Sequence, residues 1–134
     1  MAEEQRENVT GTASLTVDES NTAKTMKSGS LDVLATPAVA ALMEEASCNA
    51  IRDFLPEGIT TVGILLNLRH TSATPLRMKV FAESRLVSHE GRKYTFEIRA
   101  YDEAGEIAEA YHERFEVKTE SFMNKANAKK EESR

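Results

Sequence analysis

Two apolar periods divide the chain. Across residues 36–54 apolar side chains return every three or four positions, as on a helix, whereas from residue 61 onward they return every second position, as on strands. At about 100° per residue, Val39, Leu42, Met43, Ala46, Ala50 and Phe54 share one helical face. Thr36 fits the N-cap and Pro37 the first helical position, where a missing N–H costs nothing. Pro56 and Gly58 should end the helix near Phe54.

Downstream, Val62, Ile64, Leu66 and Leu68 form one face of a strand, with Thr61, Gly63, Leu65 and Asn67 on the other. Met78, Val80, Ala82 and Leu86 alternate with Arg77, Lys79, Glu83 and Arg85; Tyr94, Phe96, Ile98 and Ala100 alternate with Thr95, Glu97, Arg99 and Tyr101. Residues 107–117 read as a further strand with less clean alternation. Turn signals at Glu90-Gly91 and between Asp102 and Gly105 join the last three strands into an antiparallel meander. Upstream, GTASLTV (11–17) alternates weakly as a first strand, and DESNTAKTMKSGS (18–30) has no period and reads as a loop.

The expected class is α+β: a five-stranded antiparallel sheet wrapped around one long central helix that is apolar on most sides. One such layer leaves a sheet edge and part of the helix uncovered, so a homodimer, with tetramers a further step, is expected. The expected organisation is a flexible N-terminus (1–10), a single domain (11–122) and a charged, disordered tail (123–134).

A chain of 134 residues buries a core as one domain. Its net charge of −5 argues against nucleic-acid and anionic-membrane partners. No apolar run approaches the roughly 20 residues of a membrane span, and MAEEQRENVT lacks a signal-peptide pattern. One cysteine, Cys48, excludes an internal disulfide and leaves no cysteine cluster for zinc, which points to a reducing cytoplasm. Local charge differs from the total: seven basic residues stand against three acids between Arg69 and Arg99, an excess that phosphates of a coenzyme could use.

The helix carries two adjacent carboxylates. Glu45 points towards Asn49 and Arg52 on a polar side, whereas Glu44 lies among Ala40, Ala41, Cys48 and Ile51, with no charge partner on its own helix. A carboxylate against small apolar groups is held nearer working pH, which makes Glu44 a candidate base or nucleophile. His70, at the end of the strand that closes with LRH, is placed for acid–base chemistry. His89, in a turn, and His112, on the last strand, read as structural, and Cys48 as a small filler. Gly63 interrupts a bulky strand and marks either a bulge or a close approach to the backbone. The helix start at Thr36 offers N–H groups that would stabilise an oxyanion. GxSxG, GxGxxG, P-loop and HExxH patterns and metal-ligand spacings do not occur.

LATPAVAALMEEAS at the helix, LRHTSATP after the next strand and the closing FMNKANAK resemble the hotdog-fold thioesterases, within them the fluoroacetyl-CoA thioesterase-like family, over roughly residues 11–128. The resemblance implies a hotdog fold, hydrolysis of an acyl-CoA with no cofactor beyond the coenzyme A of the substrate, and a site of Thr36, Glu44 and His70 with Gly63 binding substrate. It also implies a site shared across a dimer, since eight residues of helix separate Thr36 from Glu44 by about 12 Å. The fluoroacetyl-specific enzymes carry aromatic lid residues where this chain has Met26-Lys27-Ser28-Gly29-Ser30, so a broader or different acyl group is expected. The alternatives are an acyl-CoA-binding module without turnover and an enoyl-CoA hydratase; the latter needs a histidine before the helix, and none precedes His70.

Overall fold

The computed structural model describes residues 9–132. Strand β1 (Thr10–Thr16) is followed by a short helix α1 (Ala23–Met26), the central helix α2 (Thr36–Ile51) and a 3-10 turn (Arg52–Phe54). Four strands then run in sequence, β2 (Ile59–His70), β3 (Lys79–Glu90), β4 (Lys93–Asp102) and β5 (Gly105–Lys118), before helix α3 (Thr119–Glu132). All pairings are antiparallel, in the order β1-β3-β4-β5-β2, so β1 and β2 are the edges.

The sheet curls around α2, which packs chiefly on β1 and β3. Val39, Leu42, Met43, Ala46 and Ile51 are buried against Val80, Leu86, Phe96 and Ile98. Fully burying each large side chain of this kind contributes roughly 1.5–3 kcal/mol, and this layer holds the fold together. Gly11 lets β1 lie directly on the helix: a Cβ there would stand 2.3 Å from the Ala46 carbonyl oxygen and the Ala50 nitrogen.

Several expectations change. The loop at 18–30 contains α1, capped by the Thr22 hydroxyl accepting from the Thr25 N–H and closed by Lys27 in the left-handed region. Phe54 is exposed rather than on the core stripe, because the 3-10 turn rotates it away and Ile51 takes the buried place. His89 lies within β3, stacked on Tyr94, not in a turn. The charged tail as far as residue 132 is helical; its Ala, Lys and Glu residues are strong helix formers, with Glu120 in the first turn and Lys129 and Lys130 in the last. The N-terminal segment 1–8 and residues 133–134 lie outside the described residues.

The largest departure is in β2. Gly63 pairs with Arg114 and Leu65 with Glu113, so Ile64 is the extra residue of a bulge. Up to Gly63 the odd-numbered residues face the helix with Arg114; beyond the bulge Leu66, Leu68 and His70 do, opposite His112, Ala110 and Ala108. Val62 therefore does not share a face with Leu66 and Leu68. A strict period of two cannot span an inserted residue.

Candidate active site

The helix start is built differently from the sequence expectation. Ala35 is the N-cap, without a side-chain cap bond; Thr36 is the first helical residue and Pro37 the second. Freed from capping, the Thr36 hydroxyl lies 2.8 Å from His70 Nδ1. His70 is delivered by the end of β2, and the loop after it is clamped to the sheet: the Thr71 N–H donates to the Ile107 carbonyl, and the Thr74 hydroxyl to Asp102 Oδ2 at 2.8 Å. Leu34 N–H donates to the Thr74 carbonyl, which ties the same loop to the residues before α2. Burial holds His70 below its ordinary pKa, against a smaller opposing hydrogen bond at the Ser72 backbone. Its Nε2 is buried and makes no hydrogen bond among the described residues.

Two turns along α2, Glu44 stands in a second cluster. Its Oε2 accepts from Arg114 Nη1 at 3.2 Å and lies 3.9 Å from His112 Nε2. The expectation of a carboxylate without a charge partner is thus corrected: the partner comes from β5, not from the helix. Arg114 is almost buried and fully engaged, with Nε donating to Thr61 Oγ1 at 2.9 Å and Nη2 to the Thr61 carbonyl at 3.1 Å. Gly63 lies immediately below; a Cβ there would stand 2.6 Å from Glu44 Oε2. The glycine is therefore both the neighbour of a bulge and the one residue that leaves the carboxylate room. Glu45 is exposed, as its helical position predicts.

The structure thus brings Thr36 to His70 and Glu44 to Gly63, but it does not bring the two pairs together within one chain. His112, structural by its place in the sequence, is wholly buried beside Glu44, and Arg114, which no sequence motif marks, is almost buried there too. The signal for both was phase. Ala108, Ala110, His112 and Arg114 occupy successive core-facing positions of β5, and two polar residues there demand a partner from the helix.

The basic residues do not form one patch. Arg85 and Arg99 are ion-paired with Glu97 and Glu106 at 2.7 and 2.9 Å, Lys93 lies 3.7 Å from Glu113, and Arg92 stands over the Phe115 ring. A groove of about 890 Å³ opens on the outer face of the sheet, lined by Glu83, Arg85, Glu97, Arg99 and Tyr111, away from α2 and both clusters. Arg69 also lines this groove, on the face opposite His70, whereas Arg77 and Lys79 are exposed in and after the loop that follows His70. Among the described residues no group of three or more His, Cys, Asp or Glu side chains could hold a metal ion, and no helix is long and apolar enough to cross a membrane.

Residues 17–120, a span that includes every one of these groups, match the fluoroacetyl-CoA-specific thioesterase family. The chain belongs to that family. A curated relative, the fluoroacetyl-CoA thioesterase of Streptantibioticus cattleyicolor, is 34% identical over 98 residues, 73% of this chain and 70% of its own length. A solved structure of a fluoroacetyl-CoA thioesterase is 28% identical and superposes with a TM-score of 0.85, covering 90% of this chain and 93% of that one. A hot-dog-like protein from Thermanaerovibrio acidaminovorans has the same fold at 22% identity, with a TM-score of 0.83 over 96% of this chain and 97% of its own. The hotdog architecture expected from the helix and strand order is the one observed.

Proposed function

We propose that the protein hydrolyses an acyl-CoA thioester to a free acid and coenzyme A, with Thr36, Glu44 and His70 as catalytic residues and Gly63 at the substrate. The observation that carries this reading is the state of the two carboxylate and imidazole groups. Glu44 is held by a charge partner yet keeps 42% of its side chain exposed, and His70 is anchored through Nδ1 with Nε2 left buried and uncommitted. Groups held at one atom with another left unbonded are arranged for reaction rather than for stability.

In this mechanism Glu44 removes a proton from water, and the oxygen adds to the thioester carbonyl carbon; alternatively the carboxylate attacks first and water cleaves the resulting anhydride. The Gly63 N–H would take the developing oxyanion. In the first route His70 relays to the departing sulfur the proton that Glu44 took from water; in the second the thiolate leaves first and is protonated from the water that cleaves the anhydride, and in both the Thr36 hydroxyl holds the ring in place at Nδ1. Thr36 and Glu44 are about 12 Å apart along the helix, so a complete site requires one group from each subunit of a homodimer. The β2 edge, where Ile64 and Leu65 are about half exposed, is suited to be covered by that second copy. Arg77 and Lys79, in and after the loop that follows His70, would meet the coenzyme phosphates. The acyl group is proposed to differ from fluoroacetyl, because Met26-Lys27-Ser28-Gly29-Ser30, where the fluoroacetyl-specific enzymes are expected to carry aromatic residues, holds none. A cytoplasmic location fits the single free cysteine.

The test is release of free thiol from short, long and aryl-acetyl CoA thioesters by wild type, Glu44→Gln and Glu45→Gln. Glu44→Gln should lose about 10³-fold in kcat while coenzyme A binding persists, and Glu45→Gln should match wild type. Coenzyme binding without turnover of any substrate would instead identify a binding module.

A further inference from the structure

His112 has both ring nitrogens committed, and the commitments specify one chemical form. Its Nδ1 lies 2.8 Å from the Leu65 carbonyl oxygen, which can only accept, so Nδ1 carries a proton. Its Nε2 lies 3.2 Å from Arg114 Nη1, and a guanidinium can only donate, so Nε2 must present a lone pair. Only the neutral imidazole protonated at Nδ1 meets both conditions. An imidazolium would set N–H against N–H.

The guanidinium nitrogen that His112 accepts from is the same one that holds Glu44. Nε and Nη2 of Arg114 are committed to Thr61, which sets the plane of the guanidinium, and His112 adds the acceptor for the Nη1 N–H that Glu44 does not take. The Glu44 carboxylate, with 42% of its side chain exposed, is not enclosed by packing. His112, with a side chain only 1% exposed, is the rigid body against which Nη1 rests.

Building on the catalytic reading of Glu44, we propose that His112 is a positioning residue: its neutral, Nδ1-protonated ring fixes Arg114 Nη1 and thereby aims the Glu44 carboxylate. The groups that face His112 are few. Helix α2 supplies Glu44, β5 supplies Arg114 and Glu113, β2 supplies the Leu65 carbonyl and Gly63, and β4 supplies the Phe96 ring at 5.8 Å. Burial first and Arg114 second keep His112 below its ordinary pKa, outweighing the Leu65 carbonyl, Glu44 and Glu113. Acid would therefore unlock the network at its base: protonation of Nε2 removes the acceptor for Nη1, and the carboxylate loses its aim.

The experiment compares full-length wild type, Glu44→Gln, His112→Gln and His112→Phe by kcat and KM from about pH 5 to about pH 8, with imidazole ¹⁵N NMR of the wild type. Phenylalanine fills the space without a lone pair, whereas the glutamine Oε1 restores an acceptor near Nε2. The expected result is a kcat about 10²-fold lower in His112→Phe with KM little changed, recovery to within about tenfold in His112→Gln, and a weakened acid limb in that variant. The wild-type spectrum should show Nδ1 protonated and Nε2 unprotonated at neutral pH, a readout that stands even if His112→Phe does not fold. An Nε2-protonated tautomer, or a folded His112→Phe with wild-type kcat beside an inactive Glu44→Gln, would overturn the role of His112. Full turnover by Glu44→Gln would overturn the catalytic reading beneath it, a different and separately visible failure.

Discussion

The two ends of the proposed site hold their reactive groups by opposite means. At the start of α2, Thr36 and His70 meet through a single hydrogen bond between neutral groups, both set by backbone: the first turn of a helix and a clamped loop. Two turns on, Glu44 is held by side chains alone, through an arginine that itself needs Thr61 and His112 to stay in place. The first arrangement should be robust and weakly coupled. The second should fail as a unit, because each member satisfies another's buried polar atoms.

Removing the centre of the second cluster tests that contrast most severely. Arg114→Met leaves the Thr61 carbonyl, His112 Nε2 and Glu44 without their donor, and should cost about 3 kcal/mol in denaturant unfolding together with nearly all turnover. Gly63→Ala is gentler. The new Cβ displaces only the end of the Glu44 side chain, so kcat should drop about 10²-fold while stability changes by less than about 1 kcal/mol. If Gly63→Ala unfolds the protein instead, the glycine serves the bulge and not the carboxylate. At the helix start, Thr36→Val removes one hydroxyl and should slow turnover about tenfold without altering the melting temperature. A loss as large as that of Arg114→Met would show that the two ends are coupled more tightly than their geometry implies.

The smallest effect concerns both ends together. Burial holds His70 and His112 below the ordinary value of 6.5, so the unfolded chain binds more protons than the folded one just beneath that pH. Their contribution to stability is full above 6.5 and is lost as pH falls through the folded values. Melting curves should therefore shift down in mild acid, and His112→Gln should flatten part of the slope. A melting temperature that rises in the same window would contradict the burial of both rings.

The same contrast explains what the sequence made legible. Thr36, Glu44 and His70 belong to short contiguous phrases, and the helical wheel placed Glu44 and Glu45 on different flanks, as found. The α+β class followed from one helical period and a succession of strand periods. The partner of Glu44 was not legible, because it lies 70 residues away and meets the helix only through the register of β5 against β2. Thr before Pro is a common cap sequence and points to Thr36 as the cap; the helix instead begins one residue earlier, with no side-chain bond at its Ala35 cap. The tail looked unstructured because its composition is charged, although the same residues propagate a helix once β5 leads into it.

The bulge at Ile64 makes the site a matter of parity. Residues inward of it are counted in odd numbers and residues beyond it in even ones, so a single strand addresses both clusters with opposite phase. Deleting Ile64 would leave Gly63 two positions before Leu66, and plain alternation would then keep Gly63, Leu66, Leu68 and His70 all on the helix side, with the pairing to β5 unchanged on either flank. The bulge is therefore a place where this strand tolerates the loss of one residue, whereas a second residue lost beside it would reverse the far half. A lineage that lost Ile64 alone would still set His70 opposite Ala108, on the side from which it meets Thr36.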